Sequence, residues 1–280
     1  MIHNLKNRWP LLIIVLILAA GLAFMGYPMV SNWVCEYTAS VEISDYNAVV
    51  EKEDTSTLEA MLEDAVKYNN VLSGKGDSAS VAKYDDLLAV TDALGYLEIP
   101  KLGLYLPIYH GISDEVLQKG IGHMQETSLP VGGESTHSVL SGHTGLPAAK
   151  IFTDLDQLVE GDKFYIHVLN RILAYQVDQI KVVLPEETED IRVVQGRDYV
   201  TLLTCTPYGV NSHRLLVRGA RTDYSPEKVS VQAPADTETK EIIPVEKMLW
   251  YIAVAAGAVL LFVILLILFV PARKPKGRED

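Results

Sequence analysis

The sequence predicts a mostly β domain, closed into a barrel or a sandwich and carried between two apolar segments long enough to span a membrane. Three observations lead there. Eight short strand-like runs follow one another from Gly95 onward, separated by glycine and proline, the spacing typical of sandwiches and barrels. An amphipathic segment precedes them, with Leu58, Met61, Leu62, Ala65 and Leu72 at helical intervals. Uncharged apolar stretches, Trp9 to Cys35 and Leu249 to Val270, bracket the whole.

The first apolar stretch is densest from Leu11 to Met25 and follows Lys6 and Arg8. The second holds 22 residues and is followed by Arg273, Lys274 and Lys276. A helix of about 20 apolar residues crosses a bilayer, and basic flanks stay in the cytoplasm. Both termini are therefore expected inside, and Glu36 to Lys247 outside. Gly21-Leu22-Ala23 would also suit cleavage of a signal peptide; the middle of the chain is exported in either case. The expected divisions are a cytoplasmic tail and anchor at 1–35, a helical extension at 36–94 and a strand-rich domain at 95–222. A polar stalk with three prolines at 223–247, a second spanning helix at 248–271 and a basic tail at 272–280 complete the chain.

Ser56-Thr57-Leu58-Glu59 reads as a capping box, opening a helix that runs to about Leu72. Ser73-Gly74-Lys75-Gly76-Asp77-Ser78 then breaks it. The strand-like runs are Gly95 to Ile99, Leu104 to Tyr109, Ser138 to Leu140, Lys163 to Leu169, Ile172 to Val183, Ile191 to Val194, Tyr199 to Leu203 and Arg214 to Gly219. One short helix is expected among them, from Ala148 to about Leu158. At about 125 residues this part is large enough for one core.

The net charge of −12 becomes more negative once the basic tails are set aside. That argues against nucleic acid as a partner and against binding to anionic lipid. Only two cysteines occur, Cys35 at the end of the first apolar stretch and Cys205 deep in the strand-rich domain. A bridge between them would pin Cys205 to the membrane surface, so Cys35 is read as inert. No CxxC or His/Cys cluster with metal spacing is present, and no metal or other cofactor is expected.

Chemistry concentrates at Thr201-Leu202-Leu203-Thr204-Cys205-Thr206-Pro207-Tyr208-Gly209 and Arg214. A strand delivers a thiol to its end, a turn follows, and a second strand returns a guanidinium. Antiparallel neighbours share a face, so Cys205 and Arg214 are expected in one site. A fixed cation beside a thiol favours the thiolate, which is the nucleophile. Such a cysteine needs a proton-handling partner, usually histidine. Of the seven histidines, His3 lies in the tail, His167 is mid-strand, and His213 points away from the face of its neighbour Arg214. His110, His123, His137 and His143 remain open. His143 is flanked by glycines in Ser141-Gly142-His143-Thr144-Gly145, which leaves its side chain room to enter a cleft.

Several ordered segments resemble a known family. They are Gly95-Tyr-Leu-Glu-Ile-Pro-Lys, Pro107-Ile-Tyr-His-Gly, Gly122-His-Met-Gln-Glu-Thr-Ser-Leu-Pro-Val-Gly-Gly, Ser141-Gly-His-Thr-Gly-Leu-Pro, Phe152-Thr-Asp-Leu, and Thr201 through Gly219. Together, over roughly Ala65 to Arg221, they are similar to the class C sortases, the pilin-polymerising transpeptidases of Gram-positive bacteria. The resemblance implies a closed eight-stranded sortase-type β-barrel with short helices. It places the nucleophile on Cys205, the general acid/base on His143 and the substrate- or oxyanion-stabilising cation on Arg214. It also implies LPxTG-bearing pilin subunits with an acceptor lysine as partners. Cleavage would fall between Thr and Gly of the sorting signal, through a thioester. Thr204 is a possible supporting residue whose hydroxyl lines the cleft or is satisfied within its strand.

Many class C enzymes cover the site with a lid carrying Asp-Pro-aromatic. Here the corresponding segment reads Gly76-Asp77-Ser78-Ala79-Ser80, without proline or aromatic. Asp77 is the possible lid aspartate, and the expectation is a missing or loosely closed lid. Glu241-Ile-Ile-Pro-Val-Glu-Lys lacks an LPxTG pattern, so the chain reads as the enzyme rather than its substrate. The alternatives are a cell-wall-anchoring sortase using a peptidoglycan amine, a hydrolytic cysteine peptidase, and an inactive scaffold for pilus assembly.

Overall fold

The computed structural model describes residues 9–77, 81–145, 149–224 and 250. The chain divides into two units, Met1–Val30 with Glu238–Asp280, and Ser31–Thr237. The predicted second spanning helix, the stalk and the basic tail lie outside the described residues, apart from Asp223, Tyr224 and Trp250.

Helix α1, Trp9–Lys52, runs through 44 residues and contains Pro28. Its apolar stretch is exposed along Ile14, Leu16, Ile17, Leu18, Phe24, Met25 and Met29 and is long and apolar enough to cross a membrane. Beyond it, Ala39, Ile43 and Tyr46 are buried at the spacing of one helix face. The Tyr46 hydroxyl donates to Leu94 O and accepts from Leu169 N, which fixes this part of the helix to the second unit. Helix α2, Thr55–Leu72, ends at Ser73 as the sequence suggests. Its N-cap is Asp54, however, and no side chain caps it; Ser56 donates to the Asp54 carboxylate instead of opening the helix.

Eight strands then close into a barrel: β1 Ala93–Ile99, β2 Leu104–His110, β3 Ile121–His123, β4 Thr136–Ser141, β5 Lys163–Val168, β6 Arg171–Val183, β7 Asp198–Thr206 and β8 His213–Thr222. Their order around the barrel is β1-β2-β3-β4-β7-β8-β6-β5. Two contacts are parallel, β2 with β3 and β4 with β7. Alternate residues of each strand, such as Leu140, Val200, Leu202, Leu215 and Val217, fill a single core with Leu97, Ile99, Phe164 and Tyr175.

Seven of the eight expected runs are strands. Ile191 to Val194 is not. Glu189–Ile191 forms a 3-10 turn and the Arg192 carbonyl is turned toward a side chain of β4, so this stretch joins no ladder. The eighth strand is Ile121–His123, only three residues long and centred on Gly122, too short to show a period. Helix α3, Asp114–Lys119, was also not expected; Ser113 caps it by accepting from Val116 N. The helix expected from Ala148 to Leu158 reduces to a 3-10 turn at Leu155–Gln157. The chain before that turn is held elsewhere, Phe152 N donating to His143 O.

Candidate active site

Strand β7 brings Cys205 to its end, and β8 starts back beside it. In the antiparallel register Cys205 lies directly opposite Arg214, and such pairs hold their Cβ atoms about 4.5–5.5 Å apart. Val200 and Leu202 belong to the core, so alternation sends Thr201, Leu203 and Cys205 to the outer face. On β8, Leu215 and Val217 are likewise inside, which leaves Arg214, Leu216 and Arg218 outside. Thiol and guanidinium thus share one face. Arg214 Nη1 donates to Asn211 O at 3.2 Å and His213 O at 3.1 Å. Both bonds use one nitrogen, and among the described residues Nε and Nη2 take no other partner.

His143 arrives from the other side. Ser141 on β4 pairs with Leu203 on β7 in parallel, and Gly142 N extends the ladder by donating to Leu203 O at 3.0 Å. Two residues further along that register, His143 stands level with Cys205. Thr204 does not open onto the cleft. It faces inward, buried, and its Oγ1 donates to Gly142 O at 2.7 Å. Gly142 is therefore gripped at both its N–H and its carbonyl. No larger residue fits there, since a Cβ would come within 2.6 Å of the Phe152 ring and 3.0 Å of Ile151. Gly145 has φ +75, and a Cβ on it would meet the Tyr208 ring at 3.0 Å, which brings the β7–β8 turn against the His143 loop. Cys205, His143 and Arg214 are all partly exposed, and the His143 ring has no hydrogen-bond partner among the described residues.

The other candidate histidines do different work. His123 is fully buried; its Nε2 donates to Ser128 O at 2.9 Å, so Nδ1 accepts from the Tyr84 hydroxyl at 2.9 Å. Burial holds its pKa down at about 4, with His110 adding to the effect and the Ser128 bond opposing it. His110 stacks edge-on against Tyr84, its Nε2 buried without a partner among the described residues. His137 lies on the outer face of β4 with both ring nitrogens engaged. His213 is bonded to the adjacent Ser212 hydroxyl. Both cysteines are free thiols, and Cys35 packs against the core from α1.

The Asp77 segment sits elsewhere. Lys75 donates to Ser135, just before β4, at 3.3 Å, and Asn69 in α2 clamps the Leu129 backbone. Ser135 marks the opposite end of β4 from His143, eight residues or about 26 Å away at 3.3 Å per residue. The described part of the segment therefore does not cover Cys205 or Arg214, and Asp77 is exposed there; residues 78–80 lie outside the described ones.

One neighbour of the site had no signal of its own in the sequence. Asn32, in α1, accepts from Lys150 N at 2.9 Å, and the residues after Lys150 pack on Gly142.

Comparison with known proteins agrees with this geometry. The Sortase domain family matches residues 97–222, the whole barrel apart from its first strand's beginning. Sortase C1 of Streptococcus agalactiae shares 45% identity at a TM-score of 0.62, over 66% of this chain and 99% of that one. The chain belongs to the sortase family. Its structural likeness is to class C: Streptococcus pneumoniae sortase C, whose structure is described as informing pilin substrate specificity, is 45% identical at a TM-score of 0.61, over 65% and 96% of the two chains. Clostridium perfringens sortase C, solved with the C-terminal cell wall sorting motif, is 48% identical at 0.60, over 66% and 99%. Among sortases of other types, sortase D of Bacillus subtilis is 29% identical over 210 residues, 73% of this chain and 95% of that one. The chain is thus a sortase-type transpeptidase with a closed eight-stranded barrel.

Proposed function

We propose that this sortase cleaves LPxTG-type sorting signals between Thr and Gly and joins the acyl product to a lysine amine of a pilin subunit. The observation that carries the reading is the direct pairing of Cys205 with Arg214, with the gripped His143 loop level with the thiol. The Cys205 thiolate attacks the threonine carbonyl. Arg214, with Nε and Nη2 unengaged, donates to the oxyanion that forms. His143 as imidazolium protonates the departing glycine amine, and the tetrahedral adduct collapses to a thioester. As neutral imidazole, His143 then takes a proton from the incoming lysine amine. That amine attacks the thioester, an isopeptide bond forms and the Cys205 thiolate leaves. The sorting motif with which the Clostridium perfringens relative was solved, and the pilin substrate specificity that the pneumococcal structure informs, support this choice of donor and acceptor.

The exposed apolar stretch of α1 supports a membrane anchor. The basic flanks and the apolar run at 249–270 of the sequence carry the rest of the reading: an uncleaved first anchor, a second spanning helix, both termini cytoplasmic and the barrel outside. Protease protection of tagged termini in sealed vesicles tests that arrangement; a tag at Met1 or Asp280 degraded from outside rejects it.

The chemistry is tested by intact mass measurement of the full chain in detergent with an LPxTG peptide, beside Cys205→Ala. A hydroxylamine-labile acyl adduct on the unaltered chain alone is expected. Competition between a pilin lysine peptide and a peptidoglycan-like amine then separates polymerisation from wall anchoring, with the lysine peptide expected to win.

A further inference from the structure

The loop joining β6 to β7, residues 184–197, leaves β6 where Val183 pairs with Arg214 and enters β7 at Asp198. It must therefore pass from the Cys205 end of the barrel to the other end across the outer face. On that face β4 and β7 present His137, Val139 and Ser141 beside Tyr199, Thr201, Leu203 and Cys205. Its exit is tied to Ser135 and Thr136 through Gly196 N and Arg197 O, and two further residues hold it over the face. Asp190 accepts from Gln179 and Lys181 of β6. On the far side the Arg192 carbonyl meets His137 Nδ1 at 2.8 Å. The His137, Val139 and Thr201 part of that face is buried, while Leu203 and Cys205 at its end stay partly exposed.

The chemistry of the His137 contacts fixes its tautomer. A carbonyl oxygen only accepts, so Nδ1 carries the hydrogen that Arg192 O receives. Nε2 of the neutral ring is then an acceptor, and the Thr201 hydroxyl, 2.7 Å away, donates to it. The ring is 1% exposed and tilts against Tyr199, over which the Arg218 guanidinium lies at 4.2 Å; Arg218 is in turn held by Asp178. Burial, with Arg218 adding to it, keeps the ring's pKa below its ordinary value. We infer that His137 is a positioning residue that latches the β6–β7 loop to β4 and thereby sets how the loop stands beside the partly exposed Leu203–Cys205 end, where the peptide meets the thiol. It lies about six residues, or ~20 Å of strand, from His143, and touches no reacting atom. Its influence belongs on peptide binding rather than on bond making. For its substrate this inference rests on the transpeptidase reading above.

The test uses the full chain in detergent, with His137→Phe, His137→Asn and Thr201→Val. Phenylalanine keeps a ring and removes the latch. Asparagine places an N–H donor near the position of Nδ1. His137→Phe is expected to raise KM for an LPxTG peptide about tenfold with kcat within about twofold, and to speed amide exchange of residues 189–195 about tenfold. His137→Asn is expected to restore most of both. Thr201→Val, which frees the ring to rotate, falls between, and decides the matter if the phenylalanine variant does not fold. Unchanged exchange in a folded variant overturns the latch. Faster exchange with unchanged KM, or a loss confined to kcat, overturns its role in peptide binding. If the unaltered chain accepts no LPxTG peptide, the assigned substrate falls, and exchange alone still decides whether the latch exists.

Discussion

Replacing Thr204 by valine removes the hydroxyl that grips the Gly142 carbonyl beside His143 while keeping the shape of a β-branched strand residue. The hydrogen bond lost is the 2.7 Å contact from Oγ1 to Gly142 O, inside the barrel wall. The carbonyl left behind is buried with Gly142 between Phe152 and Ile151. Stranding such an acceptor costs about 1–3 kcal/mol. For a domain of this size each kcal/mol lowers Tm by about 2–4 °C, so the variant should melt roughly 3–10 °C lower. The effect on catalysis is separable. Gly142 immediately precedes His143, and a displacement near 1 Å in a catalytic group costs about 100-fold. We expect kcat to fall between 10- and 100-fold with KM little changed, and Thr204→Ser to behave nearly as the unaltered chain. Calorimetry and a fluorogenic sorting-peptide assay on the three proteins decide it. A valine variant with unaltered Tm and kcat would refute the grip. A lowered Tm with full kcat would show that the grip serves stability alone.

Arg214→Lys keeps the charge and loses the planar fork; if the guanidinium donates to the oxyanion, kcat/KM falls about 10²–10³-fold, and a loss below threefold in steady-state assays excludes that role. Gly145→Ala forces an ordinary residue into φ +75 and against the Tyr208 ring; activity should drop about tenfold, and adding Tyr208→Ala should recover part of it, which single and double variants measure directly. His123, buried neutral with a pKa of about 4 against an ordinary 6.5, makes the unfolded chain bind more protons between those values. Its contribution is therefore present above pH 6.5 and lost as pH falls toward 4, by up to about 3 kcal/mol. Urea midpoints between pH 7.5 and 4.5 should show this fall, and His123→Gln should flatten it.

How far the sequence could be read depended on what each segment's contacts are made of. The long strands and the Cys205–Arg214 pairing follow from local alternation and one turn, so they were legible. His143 became legible only through its resemblance to a family, because four histidines met the chemical need equally well. The β3 strand escaped because three residues around Gly122 carry no period, and its pairing depends on distant β2 and β4. The run Ile191 to Val194 looked like a strand by composition, but a carbonyl taken by a β4 histidine 55 residues away left it outside the ladder. Thr204, weighed between cleft and strand interior, is settled by its alternation with Val200 and Leu202. The Ser73–Asp77 break was correctly placed, yet its position at the Ser135 end of β4 depends on a lysine contact across 60 residues that no local pattern announces.

The bond from Lys150 to Asn32 bears on how this enzyme is prepared for study. The natural place to cut a soluble fragment is just after the uncharged stretch, at Glu36, where charge resumes. That cut discards Asn32 and leaves Lys150 N–H without its acceptor, one residue before the Ile151-Phe152 pair that packs on Gly142. The trimmed protein would keep Cys205, His143 and Arg214 and still report on a differently supported histidine. Fragments beginning before Ser31 and at Glu36 are, in this respect, two different enzymes, and rates measured on the shorter one describe the barrel without its brace.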